Sequence, residues 1–357
     1  MVNATPCNVL AVAGRVRMRS GYLHMFDLLR ALASRGNQVA LACSRLSPEW
    51  SSRELGFPVY AWSDAPYNWT RKGGGTLEEF VAHQDPHVIH VHGTGLRWAG
   101  RALLNHVEMP IVFTPHSSTR TLWQTRWIQG RSRLVLALSE SLREGLLNRV
   151  KVPREKLRVI RPGVDVNAYK LSLPKMNGRR PIVGTVAPLE EDRGQGYFLE
   201  AAKRLVESGC SAEFVVAGDG PAERELRRKV ETLGIGKHLT FVTGLRAYRD
   251  VITALDIFVR PALGGGIGHT VIDAMAFGKP IIITAAEGML EIVDDGHTGL
   301  VMPKADPVAM ADAIDRLLRD PDEARAMGKA ARESVVEQFN MDVLVQKTMD
   351  AYQEVLA

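Results

Sequence analysis

The stretch "DIFVRPALGGGIGHTVIDAMAFGKPIIIT", residues 256–284, contains the unit from which the fold is built. Two short apolar runs, "DIFVRP" and "PIIIT", have the length and continuous hydrophobicity of buried parallel strands. Between them, apolar residues recur at helical spacing, and this pattern predicts a helix that begins near His269. The stretch therefore predicts a strand, a glycine-rich loop, a helix and a second strand of one parallel sheet.

The glycine-rich loop in front of this helix has two interpretations. A helix amino terminus offers unpaired N–H groups and the positive end of the helix dipole, and glycines let a bulky anion approach closely. The alternative is a flexible turn, because a glycine-rich loop alone is weak evidence for a ligand site. The loop is therefore a candidate anion site that needs support from other motifs.

Strands and helices alternate along the whole chain, and the alternation occurs in two series. The first series runs from "NVLAVAG" to "LRVIRPG", and the second from "PIVGTVA" to "TGLVM", with a Pro/Gly/Asn-containing stretch between them. Continuous apolar strands separated by amphipathic helices indicate parallel sheets covered on both faces. The predicted fold class is α/β, with two Rossmann-like, doubly wound parallel-sheet domains facing a cleft that would hold a small molecule.

Length and composition indicate a globular protein of two domains. The chain has 357 residues, 45% apolar and 24% charged, which exceeds what one hydrophobic core usually serves. Its three cysteines are scattered, which fits a reducing compartment. The amino terminus lacks a signal-peptide pattern, and no apolar run is long enough to cross a membrane. These observations predict a cytoplasmic protein.

Charge is distributed unevenly between the two halves. Residues 1–177 carry 24 Lys and Arg against 12 Asp and Glu, whereas residues 178–357 carry 21 against 28. A basic half suggests nucleic acid, anionic lipid or a phosphorylated substrate, although it is also compatible with a solvated basic face. We expect no nucleic-acid partner, because zinc-finger spacing, an RNP-like strand motif and a continuous basic helix are missing from the sequence.

Polar residues cluster where the predicted strands of the first half end. His92 and His116 end two of these strands, and "VAGRVRMRSGY" places three arginines and Ser20-Gly21 before a helix. Ligands of open parallel sheets collect at the carboxyl ends of the strands. For each residue the alternative is structural: a hydrogen-bonded histidine, or arginines that are merely solvated.

Motifs of the second half resemble those of the retaining, nucleotide-sugar-dependent glycosyltransferases of family 4, which have the GT-B fold. The motifs are "GTVAPLEEDRGQGYFLEAA", "VVAGDGPAERELR", "LTFVTG", "ALDIFVRPAL", "GGIGHTVIDAMAFGKPIIIT" and "GMLEIVDDGHTGLVMP". The first half matches more loosely, through "VIHVHG", "VFTPH" and "VLALSESLREGL". The resemblance implies an acceptor domain at residues 1–170, a donor domain at 171–339, and a helix at 340–357 that crosses back to the first domain.

The resemblance assigns a function to each candidate residue. His116 and Arg193 would be catalytic: His116 orients the donor and acceptor, and Arg193 stabilises the leaving diphosphate. The residues implied in donor binding are Ser20, Gly21, Arg193, Gly265, Gly266, Ile267, Gly268 and Asp273. Neither a metal ion nor a cofactor is expected, because fixed N–H groups and cations can stabilise a leaving diphosphate.

Two motifs depart from the family pattern. Members usually carry two glutamates eight positions apart around the donor loop, where this chain has Gly265 and Asp273. Aspartate can still accept hydrogen bonds from ribose, but glycine has no side chain for the sugar. Pro188 replaces the customary arginine of the preceding motif, and Arg193 replaces its lysine. The donor-sugar loop therefore lacks its signature acid, and one phosphate cation is lost.

Three functions agree with these features. The leading hypothesis is an active, retaining glycosyltransferase that moves a sugar from a UDP- or GDP-linked donor to a glycan or lipid-linked acceptor. The alternative is a nucleotide-binding homologue that has lost activity and acts as a scaffold or partner subunit. A third possibility keeps the fold but changes the reaction to epimerisation or hydrolysis of a sugar nucleotide.

A segment of the basic half suggests how the acceptor is reached. "STRTLWQTRWIQGRSR", residues 118–133, places Trp123 and Trp127 four residues apart among several arginines. On a helix the two tryptophans share a face and could lie at a lipid interface, with the arginines on anionic headgroups. The alternative is that both pack in the core. The first interpretation predicts peripheral binding at the inner face of the membrane, during cell-envelope glycan synthesis.

Overall fold

The computed structural model describes residues 6–16, 20–46, 52–62, 77–96, 98–116, 122–176, 178–243, 248–264, 268–286 and 288–357. The chain forms two compact units, one of residues 1–163 and 341–357 and the other of residues 164–340. Within the described residues, each unit contains one parallel β-sheet, of seven strands in the first and six in the second. The predicted α/β class with two parallel-sheet domains is confirmed.

The sheet of unit 1 has the strand order β3-β2-β1-β4-β5-β6-β7, and all its neighbouring strands are parallel. Its strands are β1 (Asn8–Val16), β2 (Gln38–Leu46), β3 (Val59–Ala61), β4 (Val88–His92), β5 (Ile111–Thr114), β6 (Leu134–Ala137) and β7 (Leu157–Val159). Strand β1 pairs with β2 on one side and with β4 on the other, so the direction in which strands are added reverses at β1. Such a reversal is where open α/β sheets bind ligands.

Helices connect the strands of unit 1. They are α1 (Ser20–Ala33), α2 (Ser52–Leu55), α3 (Leu77–Gln84), α4 (Trp98–His106), α5 (Leu122–Arg131) and α6 (Glu140–Gly145), which a π-helical turn at Leu146–Val150 continues. Strand β4 is buried at all five positions, as expected for a central strand covered on both faces.

Unit 2 repeats this architecture with the strand order β10-β9-β8-β11-β12-β13. Its strands are β8 (Ile182–Val186), β9 (Glu213–Ala217), β10 (Leu239–Val242), β11 (Ile257–Arg260), β12 (Ile281–Thr284) and β13 (Leu300–Met302). Its helices are α7 (Gln195–Glu207), α8 (Glu223–Leu233), α9 (Tyr248–Ala254), α10 (His269–Ala276), α11 (Pro307–Arg319) and α12 (Pro321–Gln338). Helix α10 begins at His269, so the predicted helix start is confirmed.

The segment that follows β7 belongs to unit 2, and the division falls after Gly163 rather than after residue 170. The Val164 amide donates to the Phe339 carbonyl at 2.8 Å, and the Ser172 amide donates to the Phe277 carbonyl at the same distance. The Lys279 ammonium, 1% exposed, donates to the Ser172 hydroxyl at 2.9 Å. These hydrogen bonds hold the segment against unit 2.

The last helix, α13 (Met341–Leu356), is part of unit 1. Its apolar face, including Leu344 and Met349, lies in the same core cluster as β1 and α1. The Tyr352 hydroxyl, on the same helix, lies 2.6 Å from His90 Nδ1 on β4. The carboxyl-terminal residues therefore complete the core of unit 1.

In the described part of the chain, none of the helices has the length and apolar character needed to span a bilayer.

Candidate functional site

The loop after β8 carries Arg193 at the carboxyl edge of the unit 2 sheet. A 3-10 turn at Glu191–Arg193 leads into Gly194, whose φ is +73°. Nη2 of Arg193 lies 3.3 Å from Glu190 Oε2, and Nε lies 3.5 Å from Asp192 Oδ1. The Arg193 side chain is 15% exposed, so most of it is buried beside these two carboxylates.

Gly194 ties this loop to the loop after β11. A Cβ atom at Gly194 would lie 1.7 Å from the Pro261 carbonyl oxygen, so only glycine allows the two loops to approach this closely. The Leu263 amide donates to the Asp192 carbonyl at 3.0 Å and joins the same loops again. Both contacts fix the backbone on either side of the Arg193 side chain.

Pro188, where the family pattern has arginine, contributes only its backbone to this loop. Its carbonyl accepts a hydrogen bond of 2.9 Å from the Gln195 side chain, at the start of α7. Its ring carries no charge, and the loop after β8 therefore offers one guanidinium, that of Arg193, to an anion.

Gly268 is the N-cap residue of α10, and it caps the helix without a side chain. Its carbonyl accepts hydrogen bonds from the Val271 and Ile272 amides, at 2.8 and 3.3 Å. The earlier N–H groups of a helix have no partner within it, so the amino end of α10 is a candidate site for an anion. Three further predicted donor residues, Gly265, Gly266 and Ile267, lie outside the described residues.

Asp273, predicted to hold the ribose, is fully buried on α10. The Tyr169 hydroxyl donates to Oδ1 and the Tyr248 hydroxyl donates to Oδ2, the latter at 2.8 Å. Nη2 of Arg249 lies 3.5 Å from Oδ1, and His269 Nε2 lies 4.0 Å from the same oxygen. A ribose hydroxyl would reach this carboxylate only by taking the place of one of these partners, because no part of it is exposed to solvent.

Arg260 is a buried cation at the same edge of the sheet that sequence reasoning did not single out. It ends β11, beside β8, and is 2% exposed. The pKa of Arg260 is lowered to about 9, chiefly by burial and also by the neighbouring Arg193, while Asp192 and Glu190 act in the opposite direction. A charged residue at the end of an otherwise apolar strand, "IFVR", is the sequence signal that could have identified it.

In unit 1, His116 lies just beyond the carboxyl end of β5, as predicted. Its ring packs edge-on against Tyr22 of α1, with 5.3 Å between the ring centroids. Burial lowers the pKa of His116 to about 4, so the imidazole is neutral at neutral pH. Its Nε2 is buried and makes no hydrogen bond with any described residue. The side chain is therefore suited to exchange a hydrogen bond with a ligand and unsuited to act as a cation.

His90 and His92 extend this group of imidazoles along β4. The His90 and His92 ring centroids are 4.0 Å apart, and those of His92 and His116 are 6.3 Å apart. Burial lowers the pKa of His90 to about 3 and that of His92 well below its usual value. Both ring nitrogens of His92 lack partners in the described part of the chain, where no group of side chains is arranged to hold a metal ion.

The predicted donor residues Ser20 and Gly21 are the first two positions of α1.

The tryptophan-containing segment forms α5, so Trp123 and Trp127 do share a helix. Trp123 is 58% exposed, and the alternative that both tryptophans pack in the core is wrong for this residue. The Arg101 guanidinium lies 4.4 Å from the Trp123 ring centroid, and that of Arg131 lies 4.1 Å from the Trp127 centroid. Arg126 donates to the Arg149 carbonyl at 2.9 Å. Both tryptophan rings of α5 therefore lie against arginine side chains, and that of Trp123 is also exposed.

Two family models match the chain. The model for glycosyl transferases group 1 matches residues 174–334, within unit 2, and the model for glycosyltransferase family 4 matches residues 23–168, almost entirely within unit 1. The two matches follow one another in the order of the two units.

Similar proteins agree with these matches. The chain is 26% identical to the alpha-D-kanosaminyltransferase of Streptomyces kanamyceticus, over 83% of this chain and 84% of that enzyme. It is 31% identical to a GDP-mannose-dependent alpha-(1-6)-phosphatidylinositol monomannoside mannosyltransferase of Mycobacterium tuberculosis, over 56% of each chain. The structure of Anabaena Alr3699/HepE in complex with UDP and glucose has the same fold, with a TM-score of 0.82, 17% identity, and coverage of 97% of this chain and 99% of that one. The chain belongs to the family 4-like glycosyltransferases of the GT-B fold. It is a glycosyltransferase, and its donors are nucleotide sugars.

Proposed function

We propose that this glycosyltransferase uses a UDP- or GDP-linked sugar, that it retains the anomeric configuration, and that its acceptor is a glycan or a lipid-linked glycan. The observation that carries the choice of a diphosphate donor is the contact of Gly194 with the Pro261 carbonyl. It holds the Arg193 loop against the strand that leads into the amino end of α10. A guanidinium and a helix amino terminus at one sheet edge suit a diphosphate.

The proposed reaction follows the chemistry of a leaving diphosphate. The bond between the sugar C1 and the diphosphate oxygen breaks, and the acceptor oxygen bonds to C1 from the same face. The acceptor proton passes to the leaving phosphate oxygen, while Arg193 and the amides at Gly268 stabilise its charge without a metal ion. Neutral His116 would hydrogen-bond and orient the reactants in place of forming a covalent intermediate. Asp273 would serve the ribose side of the donor by exchanging one of its tyrosine partners for a ribose hydroxyl.

The donors and acceptor named for two similar proteins support the proposed donor and acceptor classes. The mycobacterial relative is named for GDP-mannose and for a phosphatidylinositol mannoside, and the Anabaena structure is described with UDP and glucose. Both donor nucleotides therefore occur among proteins similar to this one. A lipid-linked acceptor also agrees with the basic charge of residues 1–177.

A panel of nucleotide sugars tests the proposed activity. We expect UDP or GDP to raise the melting temperature by mass action, and we expect one of the corresponding sugar donors to be turned over or slowly hydrolysed. Binding without turnover of any donor would favour the alternative, an impaired homologue that acts as a scaffold or partner subunit. No stabilisation by either nucleotide at millimolar concentration would contradict both.

The exposed surface of α5 predicts binding to anionic membranes. We expect vesicles of mixed neutral and anionic phospholipid to co-sediment with the protein at low salt and to release it at high salt, because headgroup attraction is screened. The double variant Arg126→Glu/Arg131→Glu should bind several-fold less. The matched control is Arg224→Glu/Arg228→Glu, which changes the charge equally on exposed positions of α8 in unit 2. Binding that is insensitive to salt and to both variants would favour a soluble acceptor.

A further inference from the structure

Arg260 is a buried guanidinium whose hydrogen-bond donors are not fully used. Nε and Nη1 are both buried, and neither makes a hydrogen bond with the described residues around it. Burying an arginine in this way is costly unless a ligand completes its contacts.

The guanidinium points toward the two parts of the site that suit a diphosphate. A Cβ atom at Gly268 would lie 3.6 Å from Nε of Arg260, which places this nitrogen beside the N-cap of α10. Arg260 is also close enough to Arg193 for their charges to repel, which contributes to its lowered pKa. Two like charges and a helix amino terminus that converge in this way are stabilised when an anion binds between them.

The position of Arg260 also matches the cation that the chain lacks. Pro188 follows β8, where the family pattern supplies an arginine, and Arg260 ends β11, which pairs directly with β8. Because both strands are parallel, their carboxyl ends lie at the same edge of the sheet. A long side chain from the end of β11 can therefore reach the region that a side chain at 188 would serve.

We propose that Arg260 is a donor-binding residue that supplies the second guanidinium of the diphosphate site, in place of the arginine replaced by Pro188. This inference rests on the proposed function, since it needs a diphosphate donor. Nε and Nη1 would each donate a hydrogen bond to a phosphate oxygen, from two separate edges of one planar group, which a lysine ammonium does not provide.

The test combines folding stability with ligand binding. Arg260→Met removes a buried charge with unmet donors, so we expect a melting temperature at or above that of the wild type. The same variant should bind UDP, GDP and inorganic pyrophosphate about ten- to a hundredfold more weakly, while uridine and guanosine change little. Arg193→Met should show the same selective loss. Arg180→Met, which removes an exposed arginine paired with Glu213, is the control and should bind pyrophosphate normally.

Each outcome separates this inference from the proposed function. If the wild type binds UDP or GDP and Arg260→Met binds pyrophosphate equally well, the inference is wrong and the proposed function stands. A variant that is destabilised and loses nucleoside and pyrophosphate by the same factor would make Arg260 structural. Should Arg260→Met fail to fold, Arg260→Lys and Arg260→Gln replace it. The inference then requires that Arg260→Lys, which keeps the positive charge, bind pyrophosphate more tightly than Arg260→Gln. A wild type that binds none of UDP, GDP and pyrophosphate contradicts the proposed function itself.

Discussion

Gly194→Ala should strongly lower the stability of unit 2, and it should abolish donor binding. Alanine at φ +73° costs about 1–2 kcal/mol. The larger effect is the clash of its Cβ with the Pro261 carbonyl, since that oxygen belongs to the backbone and cannot rotate away. We expect a total loss of about 3 kcal/mol or more in the free energy of unfolding.

The binding effect follows from what the two loops carry. Moving Pro261 away from Gly194 moves Arg260 and Arg193 apart, so the two guanidinium groups no longer contact the same diphosphate. The measurement is thermal and urea unfolding followed by circular dichroism, with UDP, GDP and pyrophosphate binding on the same samples.

Gly234→Ala is the matched control for this prediction. Gly234 caps α8 with a φ of +71°, and nothing lies within 4 Å of the position its Cβ would take. The backbone strain is therefore the same, without the clash. Equal destabilisation by the two substitutions, or normal donor binding by Gly194→Ala, would show that the loops tolerate separation.

Acid should destabilise unit 1 well above the pH at which carboxylates become protonated. Burial lowers the pKa of His90 to about 3 and that of His116 to about 4, and it lowers the pKa of His92 as well. The unfolded chain takes up protons on these histidines below about pH 6.5, whereas the folded chain does not. Their contribution to stability is thus fully present above pH 6.5 and declines as the pH falls toward the folded pKa values.

The expected size of this effect is large for a single unit. Each histidine contributes a slope of about 1.4 kcal/mol per pH unit below pH 6.5, so each removes about 2 kcal/mol by pH 5. Tryptophan fluorescence is the measurement, because all six tryptophans lie between residues 50 and 127 and so report on unit 1. Urea unfolding between pH 7 and pH 5 gives the slope directly.

Two variants decide whether the buried imidazoles are the cause. His92→Leu should reduce the slope by the contribution of one histidine. It should lower the free energy of unfolding little at pH 7, because both ring nitrogens of His92 lack partners among the described residues. His83→Gln, at an exposed position of α3, should leave the slope unchanged. A pH profile that is flat in the wild type, or that His92→Leu does not alter, would contradict this account.

The order and type of the secondary structure could be predicted from the sequence because the patterns that specify them are local. "NVLAVAG" became part of β1, and the spacing after the glycine loop placed the start of α10 at His269. The short elements β3 and α2 were not predicted, because three or four residues carry too little periodicity. The resemblance of these motifs to family 4 glycosyltransferases likewise pointed to Arg193, Gly268 and Asp273 as candidate site residues.

The sequence by itself thus determined the two parallel-sheet units, the family, and the strand ends at which the site residues lie, since each depends on residues close together along the chain. Tertiary structure alone decided how those residues are used. It enclosed Asp273 between Tyr169 and Tyr248, brought the Pro261 carbonyl against Gly194, and buried Arg260 beside Gly268. The physical reason is that solvent exclusion and unmet hydrogen bonds arise from contacts between separate strands and loops, which no local pattern encodes.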